Sequence, residues 1–227
     1  MADFRLRVTY AETGRLVMLS HLEIARALER AVRRAGLPYA VSQGFSPHMK
    51  QAFGSALPVG VGGLEEIFDV SLTDYVPPEE ALARLRASSA PDLMPHAARY
   101  ITKDETAASA AYPRSTYEAL LEASRSSDCE MDVLAVAHEL SLPSEITVVR
   151  KKKERVLVPS EFVVGELEVE PAEPGEEGRS RALVRFTLES KASGSLRPDV
   201  LLEHMLVDSG LRAASILRTK QSEIPKE

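Results

Sequence analysis

The sequence predicts an α+β protein, and three observations support this fold class. Residues 4–10 alternate apolar and polar side chains, as in a half-buried strand. Residues 20–36 carry the start signal, the 3.6-residue periodicity and the glycine stop of an amphipathic helix. The first half of the chain then follows the order strand, helix, two strands, helix, strand, and a similar pattern begins again after residue 114. Because this is the ferredoxin-like order, we expect two ferredoxin-like halves.

The first helix is the best-defined element in the sequence. Ser20 begins it, and Glu23, three residues later, completes a capping box. Gly36 and Pro38 end it, because glycine suits the residue after a helix and proline cannot continue one. One face is expected to be buried. Its apolar members are Leu22, Ala25, Leu28, Val32 and Ala35.

The predicted domains are residues 1–103 and residues 115–227, joined by a linker at residues 104–114 that is polar and rich in small side chains. In the first half we expect further strands at 39–43, at 66–72 and within 93–102, either a strand or an extended loop at 49–56, and a helix at 77–87. The second half is predicted to repeat this alternation. Its strands are expected at 115–122, 145–150, 156–158, 162–170, 182–188 and 213–220, with helices at 131–140 and 198–209.

The composition is that of an ordinary globular protein and excludes several kinds of chemistry. The chain has 227 residues, 44% hydrophobic and 27% charged, and no apolar run approaches the roughly 18 residues of a membrane span. One cysteine, Cys129, excludes an intrachain disulfide and an iron–sulfur cluster. No nucleotide-binding glycine motif occurs, and the five histidines are scattered. We therefore expect a cytoplasmic protein with no metal or cofactor, and more readily a binding protein than an enzyme.

The charge is unevenly distributed. The net charge is −6, but residues 1–60 contain eight Lys and Arg against four acids, so this region is +4. The first helix carries a basic face of Arg26, Arg30, Arg33 and Arg34 that could contact a phosphate backbone, and we expect Arg26, Arg30 and Arg33 to face the phosphates. The alternative is a solvated helix face, partly neutralised by a Glu29–Arg33 pair at i, i+4.

The segment after the helix carries a dense set of polar side chains. A flexible Gly44, an aromatic Phe45, a hydroxyl at Ser46, an imidazole at His48 and an ammonium at Lys50 lie within seven residues. Such a set suits RNA, since it offers a stacking ring and phosphate donors. The alternative is a β-turn whose Phe45 packs inward.

Two histidines permit a catalytic alternative. His21 and His48 could exchange protons with a 2′-hydroxyl and its leaving group in a metal-independent endoribonuclease. Otherwise Ser20 and His21 would form a supporting polar edge of an RNA site. A compact basic run at residues 150–155 could also contact nucleic acid, or could protect the edge of a hairpin from aggregation.

Several segments resemble the bacterial radical-SAM-linked protein family, a domain of unknown function found alone or fused to cobalamin-binding radical SAM proteins. The resemblance is dense over residues 4–72. It is carried by Phe4-Arg5-Leu6-Arg7-Val8, Leu19-Ser20-His21-Leu22-Glu23, Gly44-Phe45-Ser46-Pro47-His48 and Leu57-Pro58-Val59-Gly60-Val61. It implies that any radical chemistry belongs to a partner protein. The element order also loosely resembles the CRISPR repeat-processing endoribonucleases, an analogy of fold that implies no activity.

Together these observations predict an accessory, non-catalytic module that binds RNA and works with a radical SAM enzyme in RNA modification or maturation. The expected partners are that enzyme and RNA, with no DNA and no membrane. Two alternatives stay open: docking of the radical SAM partner through the same helix face without RNA, and the endoribonuclease using His21 and His48.

Overall fold

The structure, a computed structural model, describes residues 4–124, 131–150, 153–175 and 178–224, apart from the side chains of residues 109 and 150. These residues form a mixed α+β protein of ten strands and five α-helices, which confirms the predicted fold class. The chain divides into two compact units between Tyr112 and Pro113, and from Gln221 onward it returns to the first unit.

The first unit is an antiparallel sheet covered by helices. Its strands are Phe4–Glu12 (β1), Gln51–Phe53 (β2), Val61–Leu72 (β3) and Leu93–Ile101 (β4), and its helices are His21–Arg34 (α1), Pro78–Ser88 (α2) and Ala108–Ala111 (α3). The strand order is β4–β1–β3–β2, and each pair is antiparallel. Apolar residues of α1 and α2 pack on the even-numbered residues of β1 and β3. This core includes Leu6, Val8, Ile24, Leu28, Val32, Phe68, Val70, Leu72, Ala81 and Leu85.

One strand prediction in this unit is wrong. Residues 39–43 form no strand, because Tyr39 and Val41 make isolated bridges to two different partners, Leu72 and Met49. The strand paired with the end of β3 is instead β2, within the predicted 49–56 segment. The expected burial of Leu22 is also wrong: its side chain is 68% exposed, and Ile24 lies in the core instead.

The second unit repeats the combination of antiparallel strands and helices. Its strands are Arg114–Ala123 (β5), Ile146–Arg150 (β6), Lys153–Leu157 (β7), Val163–Pro171 (β8), Arg181–Glu189 (β9) and Leu211–Ser222 (β10), and its helices are Val133–His138 (α4) and Pro198–Met205 (α5). The strand order is β10–β5–β9–β8, with β6 and β7 forming a separate two-stranded hairpin.

Charge pairs fix the register of β5 against β9. Glu118 lies opposite Arg185 and Glu122 opposite Arg181, and both pairs form hydrogen-bonded ion pairs at about 3 Å. The alternate positions, such as Ala119 and Val184, are buried. This alternation of charged and apolar residues explains why β9 could be predicted from its sequence.

The segment predicted as a linker is held on the first unit. Arg7 and Asp69, on neighbouring strands, form a buried ion pair, with distances of 2.7 and 2.9 Å. Arg7 donates to the carbonyl of Thr106 at 2.8 Å, and the backbone N–H of Ala108 donates to Asp69 at 3.0 Å. Residues 106–108 are therefore attached to β1 and β3.

Candidate functional site

The N-terminus of α1 is capped by the capping box that its sequence predicts. The carboxylate of Glu23 accepts hydrogen bonds from the backbone N–H of Ser20 at 2.8 Å and from its hydroxyl at 2.7 Å. These bonds lower the pKa of Glu23, because they favour its charged form. Ser20 is thus engaged in capping the helix. The ring of His21 packs edge-on against Phe53, with 5.3 Å between centroids.

The exposed face of α1 carries a row of arginines at a spacing of four residues. Arg26, Arg30 and Arg34, hereafter the arginine stripe, are all exposed. With the residues that the structure describes, none of the three forms a hydrogen bond or a salt bridge. Arg33, which the sequence placed on the phosphate-facing surface, is engaged instead. It pairs with Glu29 at 2.5 Å, and its guanidinium lies 6.0 Å from the ring centroid of Tyr39.

Arg34, which the sequence also places in the basic face of this helix, completes the stripe with Arg26 and Arg30. Its sequence signal is the identity of the residue four positions earlier: Arg33 follows Glu29 at that spacing, whereas Arg34 follows Arg30. A glutamate at i−4 neutralises an arginine on a helix, and an arginine there does not.

The segment at residues 42–48, hereafter the Phe45 loop, is closed at its base. The backbone N–H of Ser42 donates to the carbonyl of His48 at 2.7 Å, and the N–H of His48 donates to the Ser42 hydroxyl at 3.0 Å. Val41 and Met49 form a bridge below, and Met49 is buried. Gly44 has a φ of 132°, which side-chain-bearing residues rarely adopt. The base is thus anchored while the tip faces water.

Phe45 lies at this tip, and its exposed fraction is 110%. The alternative in which Phe45 packs inward is therefore wrong. Burying a phenylalanine stabilises a fold by about 1.5–3 kcal/mol, and the chain forgoes this stabilisation here. Gly44, Ser46 and His48 are also exposed.

The two histidines have different surroundings. His21 contacts Phe53 near the start of α1, whereas His48 is exposed at the end of the Phe45 loop. Lys50 follows this loop, and its backbone bonds to Ala40 and Ser71 at 2.9 and 3.0 Å. These contacts give no support to an acid–base pair of imidazoles.

An exposed apolar group precedes the arginine stripe, and the sequence did not predict it. Met18 and Leu22 are 67% and 68% exposed. Val59 is also exposed, and the next residue, Gly60, donates its N–H to the carbonyl of Val17 at 2.7 Å.

The described residues of the predicted basic run, 150 and 153–155, belong to the β6–β7 hairpin. Residues 151 and 152 of the run are outside the described residues. Arg155 donates to the carbonyl of Ser193, which attaches this face of the hairpin to the unit. Val149 and Val156 are exposed.

The described residues lack two kinds of feature. No group of three or more His, Cys, Asp or Glu side chains in this part of the chain is arranged to hold a metal ion. Within the same residues, no helix combines the length and apolar character needed to cross a membrane.

Comparison with known proteins identifies the family. No curated protein matches the chain significantly. One similar solved structure is described as the crystal structure of an unknown protein from Galdieria sulphuraria. It is 14% identical, with 99% of this chain and 100% of that chain covered and a TM-score of 0.28, and no function is inferred from it. Residues 5–198 match the model of a bacterial family described as "Uncharacterized protein conserved in bacteria (DUF2344)". Since this match spans most of the chain, the protein belongs to that family.

Proposed function

We propose that this protein is an accessory, non-catalytic RNA-binding module, and that the arginine stripe of α1 contacts the phosphates. It works in the cytoplasm beside a radical SAM enzyme that modifies or matures the RNA, as the resemblance of residues 4–72 implies. Its two halves are ferredoxin-like scaffolds, which the strand orders β4–β1–β3–β2 and β10–β5–β9–β8 support.

The observation that carries the proposal is that, among the described residues, no carboxylate forms a salt bridge or a hydrogen bond with the stripe. Arg26 interacts with Glu23, three residues earlier, by charge attraction alone. Several exposed arginines elsewhere pair with carboxylates: Arg84 with Glu80, Arg99 with Glu105 and Arg212 with Glu122. Others, such as Arg86 and Arg155, donate to backbone carbonyls. The stripe instead places like charges at i, i+4 twice, which costs an isolated helix about 0.4–1 kcal/mol in total. The stripe therefore does not serve the stability of α1, although Arg34 gains from its place in the last turn.

The geometry of the stripe suits a nucleic-acid strand. Eight residues of α-helix rise about 12 Å, so the three guanidinium groups form a row along that length. Phosphates of one strand are about 3.4 Å apart along a duplex axis, so the row can reach about three of them. Guanidinium groups also bind phosphate with two parallel hydrogen bonds.

The test is fluorescence anisotropy with a labelled RNA, titrated across salt concentrations. We expect Arg30→Ala with Arg34→Ala to weaken binding and to lower the slope of log affinity against log salt by about 1.4, since each phosphate contact on a single strand contributes about 0.7. Arg84→Ala is the matched control, because this arginine is exposed on α2 but paired with Glu80. An unchanged slope in the double variant would exclude the stripe as the phosphate site.

A second candidate function is docking of the radical SAM partner without RNA, and the exposure of Met18 and Leu22 favours it. Exposed apolar side chains that lie together often mark protein-binding sites. This alternative requires a stable complex of the purified chain with the radical SAM protein of its host bacterium and no RNA binding at low salt. It also requires that Met18→Ser with Leu22→Ser breaks that complex.

A further inference from the structure

We propose that the Phe45 loop makes this RNA site selective for unpaired nucleotides, because the ring of Phe45 stacks on an exposed base of single-stranded RNA. This selectivity rests on the RNA binding proposed above. It adds a substrate class, single strands in preference to duplexes, and assigns the preference to one side chain.

The ring of Phe45 is exposed to solvent and is not packed in the core. Its exposed fraction of 110% leaves both faces open to a ligand. The base of the loop is held by the Ser42–His48 hydrogen bonds and by buried Met49, so binding need not order the backbone there. An aromatic side chain has only two χ angles, which keeps the entropy cost of fixing it low.

The charge of the sequence segment that contains the loop indicates the class of ligand. No Asp or Glu occurs between Glu29 and Glu65, whereas Arg30, Arg34 and Lys50 lie within that stretch. An exposed ring in a segment that is free of acids and contains cations is complementary to a polyanion that carries flat rings. Nucleic acid has this chemistry, since every base offers a π-face and every nucleotide a phosphate.

The exposed ring of Phe45 also distinguishes single-stranded RNA from duplex RNA. Within a duplex both faces of an internal base are covered by its neighbours, so a protein ring can stack only where a base is unstacked. Phosphate contacts of the arginine stripe are available in both forms. The stripe would therefore contribute affinity to either form, while Phe45 adds affinity only for the single strand.

The experiment measures the affinity of the full chain for three probes at one salt concentration. The probes are a labelled 12-nucleotide oligouridine, a blunt RNA duplex of the same length, and inorganic polyphosphate as a competitor without bases. The variants are Phe45→Ala and Phe45→Leu; the second keeps an apolar side chain and removes the ring. Tyr75→Ala is the aromatic control, because Tyr75 is also exposed but follows Asp74 and precedes Glu79 and Glu80.

We expect Phe45→Ala to weaken oligouridine binding about 5- to 150-fold, the range of one lost stacking contact. Phe45→Leu should weaken it nearly as much. Binding of the duplex and of polyphosphate, and the salt slope, should be unchanged in both variants, and Tyr75→Ala should bind all three probes like the wild type.

Three results would overturn the selectivity: oligouridine affinity unchanged in Phe45→Ala, wild-type affinity restored in Phe45→Leu, or an equal loss for polyphosphate. In each of these cases the wild type still binds RNA, so the proposed function survives. If the wild type binds neither oligouridine nor duplex at low salt, the proposed function itself fails, and the selectivity fails with it.

Discussion

Asp69→Asn is expected to destabilise the first unit strongly, because Asp69 is the centre of its buried polar contacts. The side chains of Arg7 and Asp69 are each 5% exposed. Both oxygens of Asp69 accept bonds from Arg7, at 2.7 and 2.9 Å, and Oδ2 also accepts from the N–H of Ala108. The bond to Asp69 raises the pKa of Arg7, so this guanidinium remains charged at any pH of interest.

The magnitude follows from what asparagine cannot supply. It keeps one oxygen and replaces the other with an NH₂ group, which faces N–H donors and cannot accept from them. The buried guanidinium of Arg7 also loses the negative charge of Asp69, its main partner. Leaving one member of a buried pair without the other costs about 3–5 kcal/mol. For a chain of this size that corresponds to a fall in Tm of about 6–20 °C.

The assay is thermal unfolding followed by circular dichroism and calorimetry, which also reveals whether the two units unfold separately. Asp74→Asn is the matched control, because Asp74 is exposed in the same unit and should change stability by less than about 0.5 kcal/mol. Exchanging both partners for apolar residues, Arg7→Met with Asp69→Leu, should recover part of the loss. A fall of less than about 1 kcal/mol in Asp69→Asn would refute this account of the pair.

Three further outcomes are expected. Gly36→Ala should cost about 1 kcal/mol in denaturant unfolding, because Gly36 has a φ of 61° at the end of α1; an unchanged midpoint would contradict this. NMR titration should show that the pKa of the Glu23 carboxyl lies below its ordinary value, and that this pKa rises toward that value in Ser20→Ala. Because the folded pKa is depressed, the stabilisation from Glu23 is present above the unfolded pKa of about 4.3 and is lost as the pH falls through the folded value. Arg185→Glu should cost about 1–3 kcal/mol in urea unfolding, because Arg185 contacts three glutamates; a cost below about 0.5 kcal/mol would show that these pairs contribute little.

The elements with strong local signals could be predicted from the sequence. The first helix was found because Ser20, Glu23 and Gly36 act within a few residues of their own positions, and the structure confirms α1 with a capped N-terminus. The face of α1 was predicted less well. Leu22 is about 120° around the helix from Leu28 at 100° per residue, so both cannot lie at the centre of one buried face.

The candidate site could be predicted only in part. Arg26, Arg30 and Arg34 are exposed, whereas Arg33 forms the i, i+4 pair with Glu29 that was the predicted alternative. The exposure of Phe45 depends on the path of the loop between Val41 and Met49, and no local periodicity reports that path. The strand expected at residues 39–43 is absent because Tyr39 and Val41 bridge to two different partners, Leu72 and Met49, and sequence patterns do not report which partner a segment meets.

The most direct test of the central claim is photo-crosslinking of the full chain to a labelled single-stranded RNA, followed by trypsin digestion and mass spectrometry. Trypsin cleaves after Arg34 and Lys50, so residues 35–50 form one peptide that contains Phe45 and His48. We expect the major adduct on this peptide and its loss in the presence of excess polyphosphate, which competes for the arginine stripe. Adducts confined to peptides of residues 113–220, or no adduct above background, would contradict the account.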